Sequence, residues 1–518
     1  MNPGAKILPI GIESFAKIRT GNFYYVDKTE FAWLLAQQAG AFFLSRPRRF
    51  GKSLLLDMLK ELFEGNQALF EGLYIHDKWD WSRRFPVIWI NLGDGVISTR
   101  AELDEKIREI LTSNQERLGV RCTRPSISGQ FSQLIELAHE KYGEPVVILV
   151  DEYDKPILDN LADRATTLAM REGLKNLYSA IKGADSHIRL TMLTGVSRFG
   201  KVNLFSGVNN LHDITLSARF SAICGYTDAD VDSVFADQLP GLEREQIRRW
   251  YNGYNWTGAK VYNPFDLLLL FAERQFDAWW CSTGTPTFLF EMMQREGFFT
   301  PTLAQLEAGS ELISALDVDN MTPLALLFQC GYLTIHQTTH SLAGTRSFVL
   351  GYPNQEVEQS MNATLLAGYT GSAERSDAHR RRLEKLLASD DLAGMRALFQ
   401  SFFASIPHHW YTNNPIAQYE GFYASVFYSY FAALGLDTRV EDATNLGRID
   451  MALKACGRIW LFEFKVVESA PTTGRALQQI KDKGYADKYR GEGLPIHLIG
   501  VEFSKEQRNV VGFEFETI

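Results

Sequence analysis

The sequence predicts an α/β protein with a mainly parallel sheet at its front and a second α/β domain at its back. Three stretches predict this. The apolar run Ala41–Leu44 is followed by Ser45-Arg46-Pro47-Arg48-Arg49-Phe50-Gly51-Lys52-Ser53 and then by the helically spaced Leu54–Phe63. Pro145–Val150 is a continuous apolar, mostly β-branched run that ends in Asp151-Glu152-Tyr153-Asp154, as expected of a strand covered on both faces. Leu446–Leu453 and Ile459–Val467 alternate with period two around Cys456-Gly457, the pattern of a hairpin.

Bulk properties narrow the functional classes. A chain of 518 residues needs more than one core, roughly two to four domains. A net charge of −9 excludes a generally basic surface, so any nucleic-acid contact must be local. Five cysteines, odd in number and scattered without ligand spacing, read as free thiols, and a cytoplasmic setting is expected. No apolar run reaches the roughly 18 residues of a membrane span, and no membrane partner is expected.

In chain order, Phe23-Tyr24-Tyr25-Val26 precedes the first strand, either as a wall for a base or as an ordinary strand–helix lead-in. Strand, loop, Gly-Lys-Ser and helix form the context of a phosphate-binding loop, whose backbone N–H groups and helix N-terminus cradle phosphate oxygens. Arg48, Arg49, Phe50, Gly51, Lys52 and Ser53 are the candidate cofactor-binding residues, with Lys52 on the phosphates and Ser53 on Mg²⁺. Arg46 stands where such a loop ordinarily has its first glycine, an expected obstacle to turnover. Pro86–Leu92 reads as a buried strand and Arg100–Leu118 as a helix. Asp151 at a strand's carboxyl end is the candidate for Mg²⁺, and Glu152 for orienting a water. Arg189–Arg198 ends a further strand in Thr194, Ser197 and Arg198. Thr194 or Ser197 would sense a terminal phosphate, and Arg198 would touch it directly. Asp213–Leu216 is the candidate fifth strand.

Residues 221–370 read as a helical lid or connector, with Thr227 or Asp228 capping one helix. The aromatic Trp250–Trp256 stretch is either a stacking platform for single-stranded nucleic acid or, better favoured by the nearby acids Glu243 and Glu245, packing between domains. In residues 371–518 a two-residue loop at Cys456-Gly457 places Asp450 opposite Glu463, with Lys465 on the same face. Two opposed carboxylates repel unless a cation lies between them. A divalent metal with a lysine answers that need, and a polar outer face of an amphipathic hairpin is the alternative. The following helix brings Gln479 and Tyr485.

The tail resembles the PD-(D/E)XK nuclease superfamily through Asp450, Glu463-x-Lys465, Gln479, Tyr485 and the earlier acid Glu420, with Ile449 where the name-giving proline would stand. The front resembles the bacterial AAA-ATPase-like family fused to such tails, through Tyr25–Thr29, Ser45–Ser53, Leu149–Asp154 and Trp250–Tyr254. The resemblance implies a P-loop ATPase domain over 1–220, the lid over 221–370 and a restriction-endonuclease-like α/β/α domain over 371–518. It further implies ATP and Mg²⁺ as cofactors and Asp450 and Glu463 as metal ligands, helped by the carbonyl of Phe464. Lys465 would act on the attacking water, and Glu420 would bind a second metal or orient water. The implied partner is nucleic acid, DNA ahead of RNA; homo-oligomerisation is left open. The expected activity is an ATP-regulated, Mg²⁺-dependent nuclease, and the alternative is an NTP-dependent regulatory protein whose tail no longer cuts.

Overall fold

The structure, a computed structural model, describes residues 6–198, 211–281, 300–310, 322–340, 344–406, 420–444, 447–468 and 474–518. The chain forms two compact units, Met1–Trp280 with Glu307–Asn354, and Cys281–Leu306 with Gln355–Ile518. These divisions differ from the sequence expectation. Residues 221–280 and 307–354 belong to the front unit rather than standing apart, and the helix Gln355–Thr370 belongs to the tail. Periodicity identifies helices but not which core buries their apolar faces.

The front unit is built on five strands: β1 (Gly40–Ser45), β2 (Val87–Asn91), β3 (Val146–Asp151), β4 (Ile188–Gly195) and β5 (Leu211–Asp213). All pair in parallel, in the order β2-β3-β4-β1-β5. Every residue of β3 is buried, which accounts for its unbroken apolar run. Strand β4 lies between β1 and β3, so the loop after β1 and the acids after β3 emerge at one sheet edge across the end of β4. The helix Arg100–Leu118 starts in a capping box of Thr99 and Glu102 and stops at Gly119 in the left-handed region. Thr227 likewise caps Asp228–Val234. The middle segment is not helical alone, since β6 (Leu306–Gly309), β7 (Thr334–His340) and β8 (Arg346–Gly351) form a small sheet in the order β6-β8-β7.

The tail unit holds β9 (Asp437–Thr444), β10 (Gly447–Ala455), β11 (Arg458–Val467), β12 (Ile496–Ser504) and β13 (Asn509–Thr517), ordered β13-β12-β11-β10-β9. Only β11 and β12 are parallel. Alternation along β11 separates two cores. Phe462 and Phe464 meet Phe427 of the helix Glu420–Ala433 on one face. Ile459 and Leu461 meet Leu477 and Ile480 of the helix Arg475–Asp482 on the other. Glu463 and Lys465 share this second face by strand period.

Candidate functional site

At the end of β1 the chain turns through residues 46–51 into the helix Lys52–Phe63. The left-handed positions in this turn are Arg49 (φ 66°) and Gly51 (φ 87°), the latter being the helix N-cap. Arg46 does not have a positive φ, so the glycine expected there on conformational grounds is not required. Its guanidinium is fully buried and donates to the carbonyls of Ser45 (2.8 Å), Thr215 (3.0 Å) and Phe220 (3.2 Å). It also lies 4.0 Å over the Trp256 ring, and burial brings it down to about 10. Phe50 stands edge-on between Tyr254 and Trp256, at 4.7 and 5.5 Å. The aromatic stretch is therefore packed under the loop. Arg48 and Arg49 are exposed; the Arg48 carbonyl accepts from Trp280 Nε1 (3.2 Å) and the Arg49 guanidinium lies 4.0 Å over Phe265.

Lys52 is buried, and its Nζ donates to the loop's own carbonyls, Arg46 (3.0 Å) and Pro47 (2.9 Å). Burial lowers its pKa, while Asp151 and Glu152 act in the opposite direction. Asp151 accepts from Thr194 Oγ1 (2.7 Å) and the Glu152 N–H (3.1 Å). Glu152 sits at φ 49°, an uncommon conformation for a non-glycine residue. Burial first, then Asp151, raises its pKa, with Lys52 opposing. Ser53 follows in the first turn of the helix, half-buried.

The end of β4 departs from the sequence reading. The Ser197 N–H (2.6 Å) and hydroxyl, with the Val196 N–H (3.1 Å), donate to buried Asp154, which locks this turn. Arg198 pairs with Asp213 at 2.5 Å. Two contributors were missed. Asp154 looked like one more acid in a run. Glu13 has Asp151 and Lys52 among its electrostatic neighbours, and burial then Asp151 raise its pKa; no local pattern marked it. Tyr24, Tyr25, Val26, Leu54, Cys224 and Tyr226 line a small cleft of about 70 Å³ that reaches Gly51.

In the tail, Cys456 (φ 51°) and Gly457 (φ 70°) make the two-residue turn. The register runs from Ala455 opposite Arg458 to Met451 opposite Phe462, and just beyond its end Asp450 is an electrostatic neighbour of Glu463. Asp450 Oδ2 accepts from the Phe464 N–H at 2.7 Å. Glu463 is 1% exposed; its Oε1 accepts from Gln479 and stands 3.4 Å from Lys465 Nζ, while its Oε2 is buried without a hydrogen bond. Burial first, then Asp450, pushes its pKa up to about 7, with Lys465 opposing. Tyr485 shares the site, with burial and Glu463 raising its pKa. An opposed carboxylate pair with an orphaned buried oxygen is what a divalent cation satisfies, so these residues fit one. Among the described residues no three His, Cys, Asp or Glu side chains are grouped to hold an ion. Glu420 begins the helix Glu420–Ala433, but its side chain, like Gln418 and Tyr419, lies outside the described residues. Lys481, on the helix Arg475–Asp482, pairs with Glu516, and Lys488 just beyond that helix pairs with Asp442 (2.5 Å).

Residues 9–205 match the family model described as "Predicted AAA-ATPase", and residues 418–513 match that of the "PD-(D/E)XK nuclease superfamily". A relative from Azotobacter chroococcum mcd 1, "Uncharacterized protein in vnfD 5'region", is 57% identical over 514 residues, 99% of each chain. The chain belongs to the AAA-ATPase-like family. As a member of it, this protein pairs the P-loop unit with a PD-(D/E)XK tail. No helix among the described residues is long and apolar enough to cross a membrane.

Proposed function

We propose that this AAA-ATPase-like protein binds ATP with Mg²⁺ at its front unit and uses that state to regulate Mg²⁺-dependent cleavage of nucleic-acid phosphodiesters by its tail. The observation that carries the reading is Glu463: buried, facing Asp450, drawn up to about 7 and with one oxygen unbonded. Such an arrangement costs stability unless a proton or a cation offsets the opposed charges, and perturbed carboxylates of this kind cluster at functional sites. A bound divalent ion would supply Lewis acidity toward the scissile phosphate. Asp450 and Glu463 would hold that ion, Gln479 fixes the orientation of Glu463, and Lys465 lies where it can steady the attacking water or the developing negative charge.

At the front, Lys52 would exchange the carbonyls of Arg46 and Pro47 for phosphate oxygens. Ser53 and Asp151 are the residues for Mg²⁺, with Thr194 holding Asp151 in place, and Glu152 is the residue for the attacking water. The test is a Mg²⁺-dependent nuclease assay on single- and double-stranded DNA and RNA, with and without ATP, for wild type, Asp450→Ala, Lys465→Ala and Lys52→Ala. The reading expects the tail variants to lose cleavage and Lys52→Ala to lose its ATP dependence. Wild-type activity equal to that of both tail variants refutes it.

A second reading, an NTP-dependent regulatory protein whose tail binds without cutting, is favoured by the pairing of Lys481 and Lys488 with acids beside the site. It predicts nucleotide binding without metal-dependent cleavage.

A further inference from the structure

On β12, one strand beyond Glu463 and Lys465, stands another buried carboxylate. Glu502 is 2% exposed and pairs in register with Lys465, so it lies on the same sheet face as Lys465 and Glu463. Its Oε1 accepts from the backbone N–H of Arg475 (2.9 Å) and lies 3.5 Å from that of Ala476. These are the first two residues of the helix Arg475–Asp482, whose N-cap, Gly474, has no side chain to take them. Glu502 therefore does from the sheet what an N-cap side chain does locally, and its charge complements the helix N-terminus. Two residues earlier, Gly500 is opposite Glu463, and a Cβ there would come within 2.2 Å of the Leu477 nitrogen. The helix thus rests directly on the strand beside Glu463. Gln479, one turn further on, donates to Glu463 Oε1.

We propose that Glu502 is a positioning residue of the tail site. It anchors the first turn of the helix to β12 and, through that helix, holds the Gln479 amide against Glu463. Gly500 sets how close the helix comes; Glu502 sets where along the strand it sits. An eight-residue helix has little stability of its own, so this anchor acts with the packing of Leu477 and Ile480 to fix the place from which Gln479 orients the carboxylate.

The inference rests on the reading of Asp450 and Glu463 as metal ligands, and the experiment separates the two. Mn²⁺ binding to the full-length protein is measured by calorimetry for wild type, Asp450→Ala, Gln479→Ala, Glu502→Ala, Glu502→Gln and the Gln479→Ala/Glu502→Ala double variant. Glu502→Ala is expected to weaken tail-site binding on the order of tenfold, the usual effect of losing an outer-shell partner. Glu502→Gln keeps an acceptor oxygen for the two N–H groups and is expected to remain within about threefold of wild type. Because Glu502 acts through Gln479, the double variant is expected to bind no more weakly than Gln479→Ala alone. Loss of binding in Asp450→Ala together with unchanged binding in Glu502→Ala overturns the inference. So do additive losses in the double variant, or a Glu502→Gln loss equal to that of Glu502→Ala. Unchanged binding in Asp450→Ala overturns the metal-site reading itself.

Discussion

Replacing Arg46 by glycine restores the usual phosphate-loop pattern, Gly-Pro-Arg-Arg-Phe-Gly-Lys-Ser, and on sequence grounds ought to improve the site. The structure predicts the reverse. Arg46 ties the loop to the segment after β5 through the carbonyls of Thr215 and Phe220 and stacks on Trp256. Two such charged hydrogen bonds, at the low end of about 1.5 kcal/mol each, and a desolvated cation–π contact of about 2 kcal/mol hold it in place. Burial acts against them: bringing the guanidinium down to about 10 corresponds to roughly 3 kcal/mol of cost to the charged form. About 2 kcal/mol remains, and a glycine adds roughly 0.5–1 kcal/mol through the freedom of the unfolded chain. Arg46→Gly is therefore expected to lower the melting temperature by several degrees. Its freed loop must also be re-ordered around phosphate at about 1–2 kcal/mol per residue, so Mg·ATP binding weakens about tenfold by calorimetry. An unchanged melting temperature together with equal or tighter nucleotide binding would refute the argument.

Three further outcomes follow from other parts of the molecule. Asp154→Ala leaves the Val196 and Ser197 N–H groups without their buried acceptor, and is expected to cost about 1–3 kcal/mol, read as a lower urea midpoint. Glu463 is held near 7 in the fold against an ordinary 4.5. Between those values the folded state binds a proton that the unfolded chain does not, so this group's contribution to metal-free stability is lost as pH rises through that window. Urea midpoints at pH 5.5 and 7.5 in chelator are expected to fall with pH more steeply in wild type than in Glu463→Gln. Gly500→Ala forces the helix Arg475–Asp482 off the strand, because the added Cβ would stand 2.2 Å from the Leu477 nitrogen. A loss of about 1–3 kcal/mol is expected, with weaker Mn²⁺ binding.

The elements whose identity depends on nearest neighbours were legible in the sequence. Strand β3 is a mostly β-branched run, the helix Arg100–Leu118 carries its own capping box, and the two-residue turn fixes the hairpin register from Ala455–Arg458 to Met451–Phe462 by counting. These depend on backbone period and turn geometry, which a linear string records. What the string does not record is which distant surfaces meet. Placement of 307–354 with the front unit, the seat of Arg46 on Trp256, the Ser197–Asp154 lock and the Arg198–Asp213 pair join residues from separate segments or different strands.

By itself, the sequence determined that this chain carries a phosphate-loop sheet at one end and an acid–acid–lysine hairpin at the other, because each is a local arrangement of period and turn. Tertiary structure alone decided what the surrounding groups do. Arg46 changes from an apparent defect to a buried post, and Glu502 from an anonymous strand acid to a helix anchor. The physical reason is the same in both cases. A buried charge takes its role from the groups that satisfy it, and those groups come from wherever packing brings them.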